Sequence, residues 1–288
     1  MGDNLPFIAM DNKGLVSVSQ VIAGGYSTCA ITYTGTTVQA AGRVKCWGSN
    51  YDFALGVLNA TENVGTSPGQ MGDALPYVNL GTGLLAKSMA LNWDTTCALL
   101  SSGKVKCWGY NGNGELGQGN NFGYTGTASD RFAMGDALPY VNLGTGVLVS
   151  KISRGDDSFC IIASAPTTHV GGVKCWGYAD YSQLGQLTSG ANIGDKANEM
   201  GDFLPWVPLG TVSGGKTKSP SKAAGRVLAN EQDSAEVPRA RSERSKARRA
   251  LFDEAREERR KLRAERQAAY LAERKASAAK ALRGDNEQ

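Results

Sequence analysis

Six cysteines fall into three pairs, Cys29/Cys46, Cys97/Cys107 and Cys160/Cys175. Thiols support disulfide formation, metal ligation or nucleophilic catalysis. Zinc is disfavoured because no C-x-x-C occurs and His169 is the only histidine. Nucleophilic catalysis needs a base positioned beside the thiol or hydroxyl. His169 instead lies in a polar insertion, residues 166–172, and reads as a surface-loop side chain. No Ser-His-Asp or Cys-His arrangement recurs. Two readings of the cysteines stay open: three hairpin disulfides in an oxidising compartment, or six buried thiols packed as small hydrophobes.

Other residues carry weaker signals. Gly112-Asn113-Gly114-Glu115-Leu116-Gly117 fits G-x-G-x-x-G, which binds pyrophosphate only between a strand and a helix N-terminus. Gly119-Asn120-Asn121-Phe122-Gly123 follows and cannot start a helix, so the segment reads as a turn. Asp73, Asp136 and Asp202 each follow Met-Gly; an ion site or an Asp-capped turn before Leu-Pro explains them, and the turn is simpler. Lys45, Lys106 and Lys174 precede Cys-Trp-Gly and read as solvated strand charges. Arg154-Gly155-Asp156 spells an adhesion tripeptide but replaces ordinary repeat residues. Asn59-Ala60-Thr61 is a glycosylation sequon, which matters only in a secreted protein.

Repetition organises these residues. The phrase MGDALPYVNLGTG occurs at 71–83 and unchanged at 134–146, with weaker copies at 1–8 and 200–211. Starts at Met1, Met71, Met134 and Met200 give periods of 70, 63 and 66 residues. V-K-C-W-G recurs at 44–48, 105–109 and 173–177, followed by Leu-Gly at 55–56, 116–117 and 184–185. The repeats are therefore 1–70, 71–133 and 134–199, with a partial copy at 200–212. Met1 lies inside a copy, so the given start reads as a truncation.

Each repeat predicts short strands broken by glycine. In the second they are 77–80, 84–91, 96–100 and 105–108; in the third, 140–143, 147–152, 159–163 and 173–176. About four strands per repeat is the pattern of propeller blades. Ser101-Ser102-Gly103 suits a type I turn followed by a left-handed residue. That loop sets Leu100 opposite Lys104 and Cys97 beside Cys107, close enough to bond.

These motifs resemble the regulator of chromosome condensation family, whose pattern is roughly A-G-x-x-H-T-C-A-L, a hairpin turn, V-x-C-W-G and N-x-x-G-Q-L-G. The matching segments are Ala23 to Ala30, Thr96-Cys97-Ala98-Leu99, Val105 to Gly109, Asn111 with Gly114-Glu115-Leu116-Gly117, and Gln183-Leu184-Gly185. The family histidine before Thr-Cys is replaced by Ser27, Thr95 and Ser158. The resemblance covers about residues 1–212 and implies an all-β fold of propeller-type blades. The family usually closes about seven blades, whereas this chain holds about three. It therefore reads as an incomplete ring or arc, either a fragment or an arc held by a partner. The family includes exchange factors for a nuclear small GTPase, chromatin binders, light receptors and interaction modules. The light receptor's tryptophan signature is missing, with Asn92-Trp93-Asp94 the nearest approach. Trp47, Trp108 and Trp176 read as structural blade residues.

The chain has 288 residues and a formal net charge of +4. Residues 1–212 carry 11 basic against 15 acidic side chains, a net of −4; residues 213–288 carry 20 against 12, a net of +8. Only the tail suggests an acidic partner. Residues 213–240 are Gly/Ser/Lys/Ala-rich and read as a disordered linker. Residues 241–284 read as a charged basic helix of about 60 Å. Its candidate partner-binding side chains are Arg248, Arg249, Arg256, Arg259, Arg260, Lys261, Arg263 and Arg266.

The sequence therefore predicts propeller-type blades, a linker and a long basic helix. The function it predicts is a non-catalytic interaction scaffold or structural subunit, with no cofactor and no metal. Expected partners are other proteins, within a larger assembly, with nucleic acid or another polyanion on the tail. The leading rival is a nucleotide-exchange or chromatin-associated factor for a small GTPase. A third reading is a secreted, disulfide-bonded surface protein. No apolar stretch approaches the ~20 residues of a membrane span. The absence of a visible signal peptide points to an intracellular protein, whereas disulfides point to a secreted one.

Overall fold

The structure is a computed structural model that describes residues 8–11, 13–35, 39–57, 63–121, 134–164, 170–186 and 191–210. The chain divides into two units, Met1–Ser213 and Gly214–Gln288, and all described residues belong to the first. The expected linker and helix, the eight basic tail residues, His169 and the Asn59 sequon lie outside the described residues.

Among the described residues nine strands form three antiparallel sheets of three: β1 (Val16–Ala23), β2 (Ser27–Thr34) and β3 (Arg43–Gly48); β4 (Ala86–Leu91), β5 (Thr95–Leu100) and β6 (Val105–Gly109); β7 (Val149–Arg154), β8 (Ser158–Ala163) and β9 (Val173–Gly177). Each first strand is bulged at an equivalent place, between Val18 and Gln20, Ala86 and Ser88, and Val149 and Lys151. The β5–β6 register is the expected one: Cys97 opposes Cys107 and Leu99 opposes Val105. The same register recurs in the other blades, where Cys29 opposes Cys46 and Cys160 opposes Cys175. Gly103 closes the β5–β6 hairpin at φ 79°, its N–H donating to the Leu100 carbonyl at 2.9 Å.

The strands expected at 77–80 and 140–143 are absent as such, and this corrects the sequence reading. The segments after Pro76 and Pro139 make single bridges, Tyr77 to Lys45 and Tyr140 to Lys106, on the outer edge of the preceding blade. Val78 N–H donates to Val44 O and Val141 N–H to Val105 O, both at 2.8 Å. Proline removes a ladder donor at the entry to each segment, so pairing does not extend backwards into a strand.

The blades stack face to face, and strand alternation divides each central strand between two cores. In β5, Ala98 and Leu100 pack towards the first blade with Ile31, Val44 and Leu55. Cys97 and Leu99 pack towards the third with Phe159, Ile161 and Trp176. Every β5 residue is consequently buried, whereas β1 and β7 are largely exposed. Packing joins the first blade to the second and the second to the third, which makes an open array. Among the described residues no helix is long and apolar enough to cross a membrane.

Candidate partner-binding rim and the clasps beneath it

Three lysines expected in solvent are buried instead. Lys45, Lys106 and Lys174 are each 2% exposed. Each ammonium donates to two backbone carbonyls at equivalent repeat positions: Lys45 to Met10 (2.6 Å) and Gly72 (2.7 Å), Lys106 to Leu80 and Gly135 (both 2.8 Å), Lys174 to Leu143 (2.6 Å) and Gly201 (3.0 Å). The second acceptor is always the glycine of the following Met-Gly-Asp. That glycine starts a one-turn 3-10 helix, Gly72–Ala74, Gly135–Ala137 or Gly201–Phe203. An aromatic ring covers each ammonium, Tyr77 at 4.8 Å, Tyr140 at 4.9 Å and Trp206 at 4.7 Å. Burial lowers all three lysine pKa values, while Asp73, Asp136 and Asp202 push the other way. Period-two patterning does not reveal backbone carbonyls gathered from another repeat, which is why the sequence points to solvent.

Asp136 and Asp202 do not cap their own turns through the side chain. Asp136 instead accepts from Thr82 N–H (2.8 Å) and the Thr82 hydroxyl (2.7 Å), in the preceding repeat. Asp202 does the same with Thr145, at 2.7 and 2.8 Å. The Thr82 hydroxyl and N–H hold Asp136 below its ordinary pKa, as the Thr145 N–H and hydroxyl hold Asp202. The M-G-D phrase is thus an inter-repeat clasp.

The tryptophans make a second clasp. Trp108 Nε1 donates to Ala54 O at 3.0 Å and Trp176 Nε1 to Glu115 O at 2.8 Å, each reaching the Leu-Gly loop of the preceding blade. Gly56 and Gly117 lie beneath the rings with φ of 66° and 61°; a Cβ on Gly117 would stand 2.7 Å from Val141 and 3.1 Å from Trp176 Nε1. The loop itself is fixed by Asn50 and Asn111, whose Oδ1 atoms accept from Leu55 and Leu116 N–H. Gly112 to Gly117 is therefore a blade turn. Glu115 within it is fully buried, and burial raises its pKa to about 8 against hydrogen bonds from Asn113.

The six candidate cysteines are joined within the blades. Cys29 is bonded to Cys46 across β2–β3, Cys97 to Cys107 across β5–β6, and Cys160 to Cys175 across β8–β9, each pair with Cα atoms 4.1 Å apart. Of the two readings left open by the sequence, the structure takes the disulfides, and no cysteine among the described residues is free. Cys46 on β3 and Cys175 on β9 are buried, as are Cys29, Cys97 and Cys107. These residues are consequently cross-links of the blade framework. They are the three candidate disulfides that the sequence offered, paired as expected.

Antiparallel pairing puts the first turn of each blade and the Leu-Gly loop after its third strand on one rim. Ser49 N–H bonds Tyr26 O, Tyr110 N–H bonds Asp94 O and Tyr178 N–H bonds Asp157 O, all at 2.9 Å. The first turns are also linked in series: Tyr26 packs on Trp93 with centroids 5.2 Å apart, and Trp93 Nε1 donates to Asp156 Oδ1 at 2.8 Å. Asp156 of the adhesion-like tripeptide is therefore an inter-blade acceptor. Tyr181 packs edge-on against Tyr178, and Tyr26 and Tyr181 remain exposed. A polar cleft of about 530 Å³ lies beside the second Asp–Thr clasp, between Gln118, Asn142 and Asn198. Among the described residues no group of three or more His, Cys, Asp or Glu is placed to hold a metal.

Stacked three-stranded blades joined by repeat-to-repeat clasps define a β-propeller-type repeat protein. Within the second blade, residues 86–115 match the family described as "Regulator of chromosome condensation (RCC1) repeat". No curated protein matches the chain. Solved structures similar to it include Prp20p from Saccharomyces cerevisiae, described with its binding to Gsp1p and histones (15% identity, TM-score 0.43), covering 62% of this chain and 37% of that one. Human WBSCR16 is similar at 17% identity and TM-score 0.45, covering 62% and 40%. The receptor kinase CR4 ectodomain from Physcomitrella patens is similar at 15% identity and TM-score 0.29, covering 56% and 31%. The chain thus spans about a third to two fifths of the length of these structures.

Proposed function

We propose that the chain is a non-catalytic protein-interaction platform whose partner docks on the rim carrying Tyr26, Trp93 and Tyr181. One observation carries this reading. The side chains repeated from blade to blade, the three lysines with Asp136, Asp202, Trp108 and Trp176, are engaged in holding repeats together. The rim, by contrast, presents exposed tyrosines on turns fixed by backbone hydrogen bonds. Rigidly mounted aromatic side chains are the type that anchors protein interfaces. Residues 213–240 and 241–284 fit a tether and a second contact, made by the arginines around Arg248 to Arg266.

The test compares the whole chain with a Tyr26→Ala/Tyr181→Ala variant. Proteins retained by the unaltered chain and lost by the variant, at an unchanged unfolding midpoint, support the reading. Equal retention contradicts it. Accelerated nucleotide release from a small GTPase would instead favour the exchange reading, which rests on the family resemblance.

A further inference from the structure

The two internal boundaries share one design, and each outer blade carries half of it. At a complete boundary, the tryptophan of the later blade donates to the carbonyl just before Leu-Gly in the earlier blade and covers that glycine. The third blade presents the acceptor half, Gln183-Leu184-Gly185. Its backbone repeats the second blade's: Ser182 and Gly114 have φ of 57° and 83°, Gly185 and Gly117 of 65° and 61°. Ser182 adopts this left-handed conformation without being glycine, so the loop keeps its shape there at some steric cost. The three atoms nearest a Cβ on Gly185 all belong to Val207, whereas those nearest Gly56 and Gly117 include Trp108 Nε1 and Trp176 Nε1. The first blade presents the donor half. Trp47 occupies the position of Trp108 and Trp176, is half-buried, and its indole N–H donates to no described residue.

The apolar faces match in the same way. Cys97 and Leu99 of β5 face the next blade; their counterparts Cys160 and Ile162 of β8 face outwards, and Ile162 is 37% exposed. Met89 and Ala98 face the preceding blade. On the first blade, Val21 pairs with Ala30 as Met89 pairs with Ala98, and Val21 is 60% exposed. The outer face of the third blade is therefore built for the outer face of a first blade.

We propose that a second copy of this chain docks head to tail, the Trp47 face of each copy on the Ile162 and Gln183–Gly185 face of the other. Such contacts between unlike faces close into a ring or run on as a filament. Used twice by two copies, this contact joins the three described blades of each into six, within the 4–8 of closed propellers. The interface continues the two boundaries already inside each chain, and it does not depend on what binds the rim.

Light scattering on the full chain over a wide concentration range is the test. The expected mass is twice the 30.3 kDa of one chain. Trp47→Ala and Ile162→Arg should each halve it while leaving the far-ultraviolet dichroism unchanged. An equimolar mixture of the two variants should recover a dimer, because the unaltered Trp47 face of one meets the unaltered Ile162 face of the other. A contact between like faces would not recover in this way. A monomeric parent chain, a mass that grows without limit, variants that stay dimeric, or a mixture that stays monomeric would each overturn the proposal.

Discussion

Trp176 and Glu115, 61 positions apart in sequence, meet across a blade boundary, with the indole N–H 2.8 Å from the Glu115 carbonyl. The indole also covers Gly117, so one side chain joins a hydrogen bond to a packing contact. Trp176→Phe, which keeps most of the ring, should lower stability by about 1 kcal/mol through the lost hydrogen bond. Trp176→Ala should cost about 3–5 kcal/mol. Denaturant titration of the two variants measures both.

Gly117→Ala separates crowding from backbone strain. The new Cβ would stand 2.7 Å from Val141 and 2.9 Å from Met200, at φ 61°. Gly83 has a similar φ of 69° but open space around it. Gly117→Ala should therefore destabilise by about 1–3 kcal/mol more than Gly83→Ala, by the usual cost of overpacking. Equal losses at the two positions would show that strain alone is at work.

Lys106→Met should destabilise by about 1–3 kcal/mol, because the Leu80 and Gly135 carbonyls lose their donor. Lys87, exposed on β4, is the control, and its replacement by Met should change stability by less than about 0.5 kcal/mol. Thermal unfolding of the pair reads the difference.

The buried Glu115 predicts a pH dependence of stability. Its folded pKa of about 8 lies above the ordinary 4.5, so the folded state keeps a proton that the unfolded chain releases. The stability this supplies is fully present below 4.5 and is lost as pH rises towards 8. The limiting slope is about 1.4 kcal/mol per pH unit. Glu115→Gln should flatten the curve between pH 5 and 8. An unchanged slope would place the titrating group elsewhere.

Alkylation of the denatured, unreduced chain should find no free thiol, whereas the reduced chain should give six, at Cys29, Cys46, Cys97, Cys107, Cys160 and Cys175. The Cys97→Ser/Cys107→Ser variant should lose about 2–4 kcal/mol, the usual contribution of a hairpin cross-link. Six reactive thiols before reduction would favour the buried-thiol reading.

The blades are legible in the sequence because strand alternation, the Ser-Ser-Gly turn and the repeat period act locally. The Cys97/Cys107 register follows from one loop length alone. Cys46 and Cys175 are placed by the repeat, since each holds the position of Cys107 in V-K-C-W-G. Lys106 and Asp136 are not legible in this way. Their partners, the Gly135 and Leu80 carbonyls and Thr82, come from an adjacent repeat or from an irregular turn. The exchange of edges, in which Tyr77 bridges to Lys45 of the blade before, is hidden for the same reason. The recurrence of Lys and Asp at fixed repeat positions is the available signal. Structural clasps repeat with the blades, whereas the rim tyrosines Tyr26 and Tyr181 occupy unequal positions and carry no periodic mark.

The most direct test of the rim account is positional cross-linking. A photoreactive residue replacing Tyr26 or Tyr181 on the rim is compared with one replacing Val170, which is 67% exposed at the β8–β9 turn on the opposite side. The account predicts covalent capture of a protein partner from positions 26 and 181 and none from 170. Equal capture from both sides, or capture from 170 alone, would contradict it.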